Sequence, residues 1–311
     1  MAIKANNQIT ARQGTAQKKG FSAIINGEEA RKMIERNISD PQRTAAFIST
    51  LVSVVNATPK LKECEPGSII SAALRGEIGM GLSVVLGEYS IVPYVGKNGA
   101  IAQFQLGANG LKQICVRTGA YRRIKFRPIR EGAFGGYDEF GDPVILWEKN
   151  NDAEKPIIGY YGAYELRNGF GQSLYWTHDE CLHHANRYAP AFSLDTYNDL
   201  LSGKITGWEA KKLRGGSPWY AAPDELPHIK MCLKTVAKQL LSDGLAPKEV
   251  LAAIHYDDEE ERNPGTVIPE ESLPLYDQPI DSTAEETEEP AEAEPKNADD
   301  AVLDAEQGFF G

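Results

Sequence analysis

Cysteine is scarce: Cys64, Cys115, Cys181 and Cys232 are widely spread, and no two form a CxxC pair. That spacing excludes a disulfide framework and implies reduced thiols, the default of cytoplasm. Long apolar runs are missing too, since no window approaches the roughly 20 residues a membrane span needs. The stretch Met1–Gly20 carries Lys4, Arg12, Lys18 and Lys19 where a secretory signal needs an apolar core, so a cytoplasmic protein without membrane contact is expected. The common catalytic signatures are absent as well. No G-x-x-x-x-G-K-[ST] loop occurs, and the nearest candidate, Gly96-Lys97-Asn98-Gly99, is too short and reads as a hairpin turn. No nucleotide cofactor is therefore expected. There is no G-x-S-x-G elbow, H-E-x-x-H pair or dinucleotide fingerprint, which favours a binding protein over an enzyme.

What is present is an uneven charge. The 311 residues sum to −11, yet residues 257–311 hold 19 acidic and 2 basic side chains, a net −17, which leaves +6 on the other 256. Three zones follow: a flexible basic arm over 1–27, a mixed body over 28–256 and an acidic tail over 257–311. The tail is too poor in large apolar residues to offset its ordering entropy and is expected to be disordered. A basic body with an acidic appendage suits a polyanion binder that carries its own competitor.

Within the body, Asp40-Pro41 reads as an N-cap followed by proline in the first turn, opening a helix that ends near Thr58-Pro59. A second helix is expected from Ser68 toward Gly79-Met80-Gly81. A hairpin follows, with strands at Glu88–Val95 and Ala100–Leu106, and then a helix over Gly107–Thr118 stopped by Gly119. Further strands are expected at Tyr121–Arg130, Val144–Glu148, Ile157–Leu166 and Gln172–Trp176. Thr177 and Glu180 form a capping box for a helix that ends before Pro190. A long helix over Pro227–Leu241 and a short one after Pro247 complete an α+β chain with strands in the middle and helices at both ends.

The best organised polar residues are cations. Between Lys97 and Arg130 lie Lys97, Lys112, Arg117, Arg122, Arg123, Lys125, Arg127 and Arg130, with no acid among them. Strand alternation sends Arg123, Lys125 and Arg127 to one face and Ile124 and Phe126 to the other. On the last long helix Lys230, Lys234 and Lys238 recur every four residues, a face that is either solvated or a phosphate track. Lys211, Lys212 and Arg214 extend the cationic set. Tyr161 and Trp219 are candidate base platforms, and Gln103, Gln105 and Asn109 can donate to phosphate or sugar.

Two clusters compete with that reading. His178, Cys181, His183 and His184 fall within seven residues, but no second ligand pair at zinc spacing is evident, so an ordinary helix surface is expected and no metal. Asp138, Glu139 and Asp142 among glycines suggest either a metal-dependent nuclease or, more commonly, a solvated turn.

The order of motifs resembles the RecT family of phage annealing proteins. Gly81-Leu82, the strand Gly87–Tyr94, the segment Gln103–Gly119 and Arg130-Glu131-Gly132 occur in the family's sequence. Asp138-Glu139-Phe140, Tyr160–Leu166, Ser217-Pro218-Trp219 and the helix with Lys230, Lys234, Thr235 and Leu240-Leu241 follow them. The likeness spans about Asp40 to Asp257; Leu194–Gly216 and Gly132–Gly136 are its main departures. The resemblance implies a largely antiparallel central sheet with packed helices. It also implies ATP-independent binding of single-stranded DNA and annealing to duplex during homologous recombination in a bacterial host cytoplasm. It further implies ring or filament homo-oligomers and a partner exonuclease, with magnesium only modulating DNA binding. The end Phe309-Phe310-Gly311, after Asp304 and Glu306, is similar to the C-terminal peptide of bacterial single-strand binding proteins, which suggests a host partner. The alternatives are the nuclease and an oligomeric structural phage protein.

Overall fold

The computed structural model describes residues 20–96, 99–242 and 245–262. The 1–27 arm expected from composition contains a helix within its described residues. Helices α1 (Phe21–Ile25) and α2 (Glu28–Asn37) bury Ile25 and Ile34 completely, an apolar anchor that polar neighbours had masked. Asp40 accepts a hydrogen bond from Gln42 N at 3.0 Å, and α3 (Pro41–Ala57) starts there and presents Phe47, Ile48, Leu51 and Val55 to the core. Helix α4 (Pro66–Leu74) begins two residues before Ser68, because the Glu65 carboxylate caps Gly67 N and Ser68 N. It runs into a single π-turn, Arg75–Gly79.

Strands β1 (Tyr89–Gly96) and β2 (Gly99–Leu106) form the expected antiparallel hairpin, and α5 (Ala108–Arg117) follows. Gly119, at φ +67°, takes the left-handed conformation that stops α5 and admits β3 (Tyr121–Arg130). Next come β4 (Phe134–Tyr137), β5 (Pro143–Ile145), β6 (Ile157–Leu166) and β7 (Gly171–Thr177). The strands make three antiparallel sheets rather than one central sheet: β1-β2, β3-β6-β7 and β4-β5. The strand expected at Val144–Glu148 is shorter, since Leu146 N turns back to Ala133 O at 2.8 Å and the chain then coils into a 3-10 turn. The Gly-rich β4 carried no strand signal.

Helix α6 (His178–Tyr188) opens with the expected capping box of Thr177 and Glu180. Helices α7 (Leu194–Leu201) and α8 (Gly207–Arg214) precede α9 (Leu226–Leu241), which lies across the inner face of β6. Gly162 permits the approach, because a Cβ there would sit 3.1 Å from Leu240 and from Phe126. One apolar core joins α3, α4, the hairpin and α5 to the end of α9. A second fills the space between α6, α7, β6 and α9.

The final helix, α10 (Lys248–Arg262), has 15 residues where a short one was expected. The body does not end at Tyr256: Asp257 and Glu260 are buried on α10, so the first acids of the supposed tail belong to the fold. Residues 263–311 then carry −13, which leaves only +2 on 1–262. Basicity is therefore a local property of particular surfaces. Among the described residues, no helix is long and apolar enough to cross a membrane.

Candidate nucleic-acid interface

Strand β3 borders its sheet, paired with β6 on one side only. Its pleat turns Ile124 into the main core and leaves Arg123, Lys125 and Arg127 exposed on the other face, where Ile129 is covered by a separate small apolar cluster. Three cations thus stand along one face at intervals of about 6.6–6.8 Å. The register sets Arg123 opposite Glu165, Lys125 opposite Ala163 and Arg127 opposite Tyr161. Trp147, 41% exposed, leans over this face: it meets Tyr161 edge-on at 5.5 Å, and Lys125 Nζ lies 5.6 Å from its ring centroid. The face therefore combines cations for phosphate with an accessible indole for a base. Glu165 tempers one end, bonding Arg122 at 2.8 Å and approaching Arg123 to 3.4 Å. Both pairs are solvent-exposed, so each is worth at most about 1 kcal/mol and is open to displacement by a phosphate. Charge on a sheet border also discourages unwanted strand pairing, a role independent of any ligand.

A second basic surface lies on α8, which buries no residue. Lys211, Lys212 and Arg214 are exposed, and Trp208 is 75% exposed with Lys212 Nζ 5.3 Å from its ring. The end of α8 is tied down by Lys60, which donates to Gly215 O at 2.7 Å. Sequence reasoning singled out the three cations but missed Trp208, although tryptophan beside a Lys-Lys-x-Arg run was the available signal.

The helix lysines lie elsewhere. Lys230 is exposed, but Lys234 and Lys238 do not line a solvated track. Lys234 pairs with Asp257 at 2.8 Å and Glu261 at 2.7 Å; Lys238 pairs with Asp257 at 2.9 Å and with Asp258. Asp257 also accepts the β2 backbone N–H of Leu106 at 2.7 Å. Burial pushes the Asp257 carboxyl upward, but the two ammonium groups outweigh it and hold the group below its ordinary value. The same acids raise Lys238 against its own burial. Arg75 pairs with buried Glu260 on the next turn of α10, and Gln103 donates to the Glu260 carbonyl.

Other candidates sort by environment. Trp219 is 4% exposed and packs against Phe192 and His228, so it is core and no base platform. The Arg117 guanidinium binds the carbonyls of Met80 and Gly81, a structural role that ties α5 to the turn after α4. Asn109 and Lys112 are exposed, Gln105 and Tyr161 half-buried, and Lys97 lies outside the described residues. The acids suggested for a nuclease are turn residues: Asp138 Oδ1 accepts from Phe140 N and Asp142 N, both at 2.9 Å, and Asp142 accepts from Ser173 Oγ at 2.7 Å. Among the described residues they are not one of the groups of three or more side chains placed to share a metal ion.

Two comparisons bear on this arrangement. The RecT family model matches residues 45–269, which takes in both cationic surfaces and α10. The chain is also similar to the uncharacterized protein YqaK of Bacillus subtilis (strain 168), with 27% identity over 307 residues covering 97% of this chain and 95% of that protein.

Proposed function

The chain belongs to the RecT family, which anneals single-stranded DNA in recombination, and on that premise we propose that it pairs complementary strands without ATP. The observation that carries the proposal is β3: three exposed cations at strand spacing beside a half-exposed indole. Cations hold the sugar-phosphate backbone and make affinity salt-dependent, while base edges stay open to a second strand. Base pairing supplies the driving energy, so no bond in a nucleotide needs to be broken. Trp208, Lys211, Lys212 and Arg214 extend the contact, and Lys230 adds a further cation.

The protein acts as a homo-oligomer, a ring or a helical filament, on single strands exposed by a partner exonuclease. Magnesium modulates DNA binding without taking part in a reaction. The end of the acidic segment, outside the described residues, engages a host single-strand binding partner or competes for the cationic faces. Removing 263–311 with no change in DNA affinity or partner capture would dismiss both tail roles.

Labelled complementary oligonucleotides, incubated with and without ATP and magnesium, test the main reading. Intact strands should appear as duplex under all four conditions. Magnesium-dependent shortening would replace annealing by a nuclease activity. Absence of salt-sensitive DNA retention would point to a structural phage protein instead.

A further inference from the structure

Three metal-ligating side chains, His178, His228 and Cys232, meet between α6 and α9 with Cys181 in the same apolar cluster, and the proposed DNA contacts use none of them. His178 and Cys181 stand three residues apart on α6, and His228 and Cys232 four apart on α9. Those intervals place each pair on one helical face. The helices pack together so that the faces oppose. The expectation that α6 lacked a second ligand pair fails because that pair begins 50 residues beyond His178. His183 and His184 take no part in the meeting.

His178 Nε2 lies 2.9 Å from His228 Nε2, and the ligand atoms of His178, His228 and Cys232 all fall within 4.8 Å of one another. Cys181 is buried in the same apolar cluster as Cys232 but is not one of that group of three. His228 Nδ1 is 3.0 Å from the carbonyl oxygen of Trp219, which can only accept. Nδ1 therefore carries a hydrogen, and Nε2 is the ring nitrogen turned toward His178 and Cys232. A backbone carbonyl holding the far nitrogen is the usual outer-shell support of a metal-bound imidazole. Tyr197 stacks on the His228 ring at 5.6 Å and keeps a fully buried hydroxyl that has no hydrogen-bond partner. His228 and both cysteines are fully buried, whereas His178, in the first turn of α6, is half-buried and offers an entry path.

We infer that His178, His228 and Cys232 form three corners of a tetrahedral site for a borderline-soft divalent transition metal, Zn(II) above all. The mixed imidazole and thiolate set suits that ion and not magnesium or calcium. Around zinc, with Zn–N near 2.0–2.1 Å, two nitrogens stand about 3.3 Å apart. His178 thus has to retreat only a few tenths of an ångström from its present place. Binding displaces the Cys232 thiol proton to solvent and exchanges a histidine-histidine hydrogen bond for a clamp between α6 and α9.

The test uses the full chain, reduced, stripped with a chelator and titrated with Co(II) as a spectroscopic stand-in. One equivalent should give thiolate-to-cobalt charge transfer and the intense visible bands of tetrahedral coordination, both erased by Zn(II). Cys232→Ser should abolish the charge transfer. His178→Gln, at a partly exposed position that tolerates an amide, should weaken Zn(II) by at least the roughly 10- to 100-fold that loss of an outer-shell partner alone costs. Cys64→Ser should change nothing. A folded wild-type protein without charge transfer, or a signal equal in wild type and His178→Gln, would overturn the site and leave a buried hydrogen-bond cluster. DNA annealing measured alongside keeps this outcome separate from the proposed function.

Discussion

Strand β3 and helix α9 each carry three evenly spaced cations, and their surroundings are opposite. Arg123, Lys125 and Arg127 stand in solvent beside Trp147, whereas Lys234 and Lys238 are 7% and 13% exposed and face acids of α10. Regular spacing on one element settles which side chains share a face. What that face meets is decided elsewhere, here by acids 19 to 27 residues further along the chain. Lys234 and Lys238 are thus structural counter-ions, and the exposed basic character of the protein is concentrated on β3 and α8.

The largest expected effect attacks the helix side of this contrast. Asp257→Ala leaves Lys234 and Lys238 buried without their shared partner and frees the Leu106 N–H. Urea unfolding should show a loss of about 3–5 kcal/mol. Arg123→Gln in the same assay should stay within about 0.5 kcal/mol. Equal losses would erase the distinction. On the strand side, replacing Arg123, Lys125 and Arg127 together by glutamine removes three phosphate partners. The slope of log affinity against log salt for single-stranded DNA should become shallower by about 2, at about 0.7 per charge. An unchanged slope in a folded protein would remove β3 from the interface.

A smaller effect concerns Trp208. Its truncation to alanine should weaken single-strand binding by about 1–3 kcal/mol if a base stacks there, with no change in thermal stability. Trp219→Ala should do the reverse, lowering stability first. The smallest effect shows only in acid. Because the folded protein holds the Asp257 carboxyl below its ordinary 3.8, its contribution is complete above that pH and disappears as pH falls through the lower folded value. Asp257→Asn should flatten stability against pH in that window, and a parallel curve would assign the acid sensitivity to other groups.

Local chemistry was readable from the chain. Asp40-Pro41, the Thr177–Glu180 box and the β1-β2 hairpin are each fixed by residues within a few positions, and all three occur where the pattern places them. The alternation of β3 was equally plain. Everything that depended on a distant partner was not. The composition of residues 257–262 is that of a solvated tail, yet Asp257 is fully buried because Lys234, Lys238 and the Leu106 N–H converge on it. Trp208 and Trp219 are eleven residues apart and equally aromatic, but one stands in water and the other in the core. His178 found its partners only when α9 folded across α6.

The hydrogen bond from Leu106 N to Asp257, with the pairing of Arg75 and Glu260 one turn on, has a practical corollary for shortened versions of the protein. A truncation after Tyr256, where acidity begins, would strip β2, α9 and the π-turn of the carboxylates that hold them together, and would yield a misfolded product easily mistaken for one lacking a regulatory tail. A cut that removes acidic sequence while keeping these carboxylates falls no earlier than Arg262.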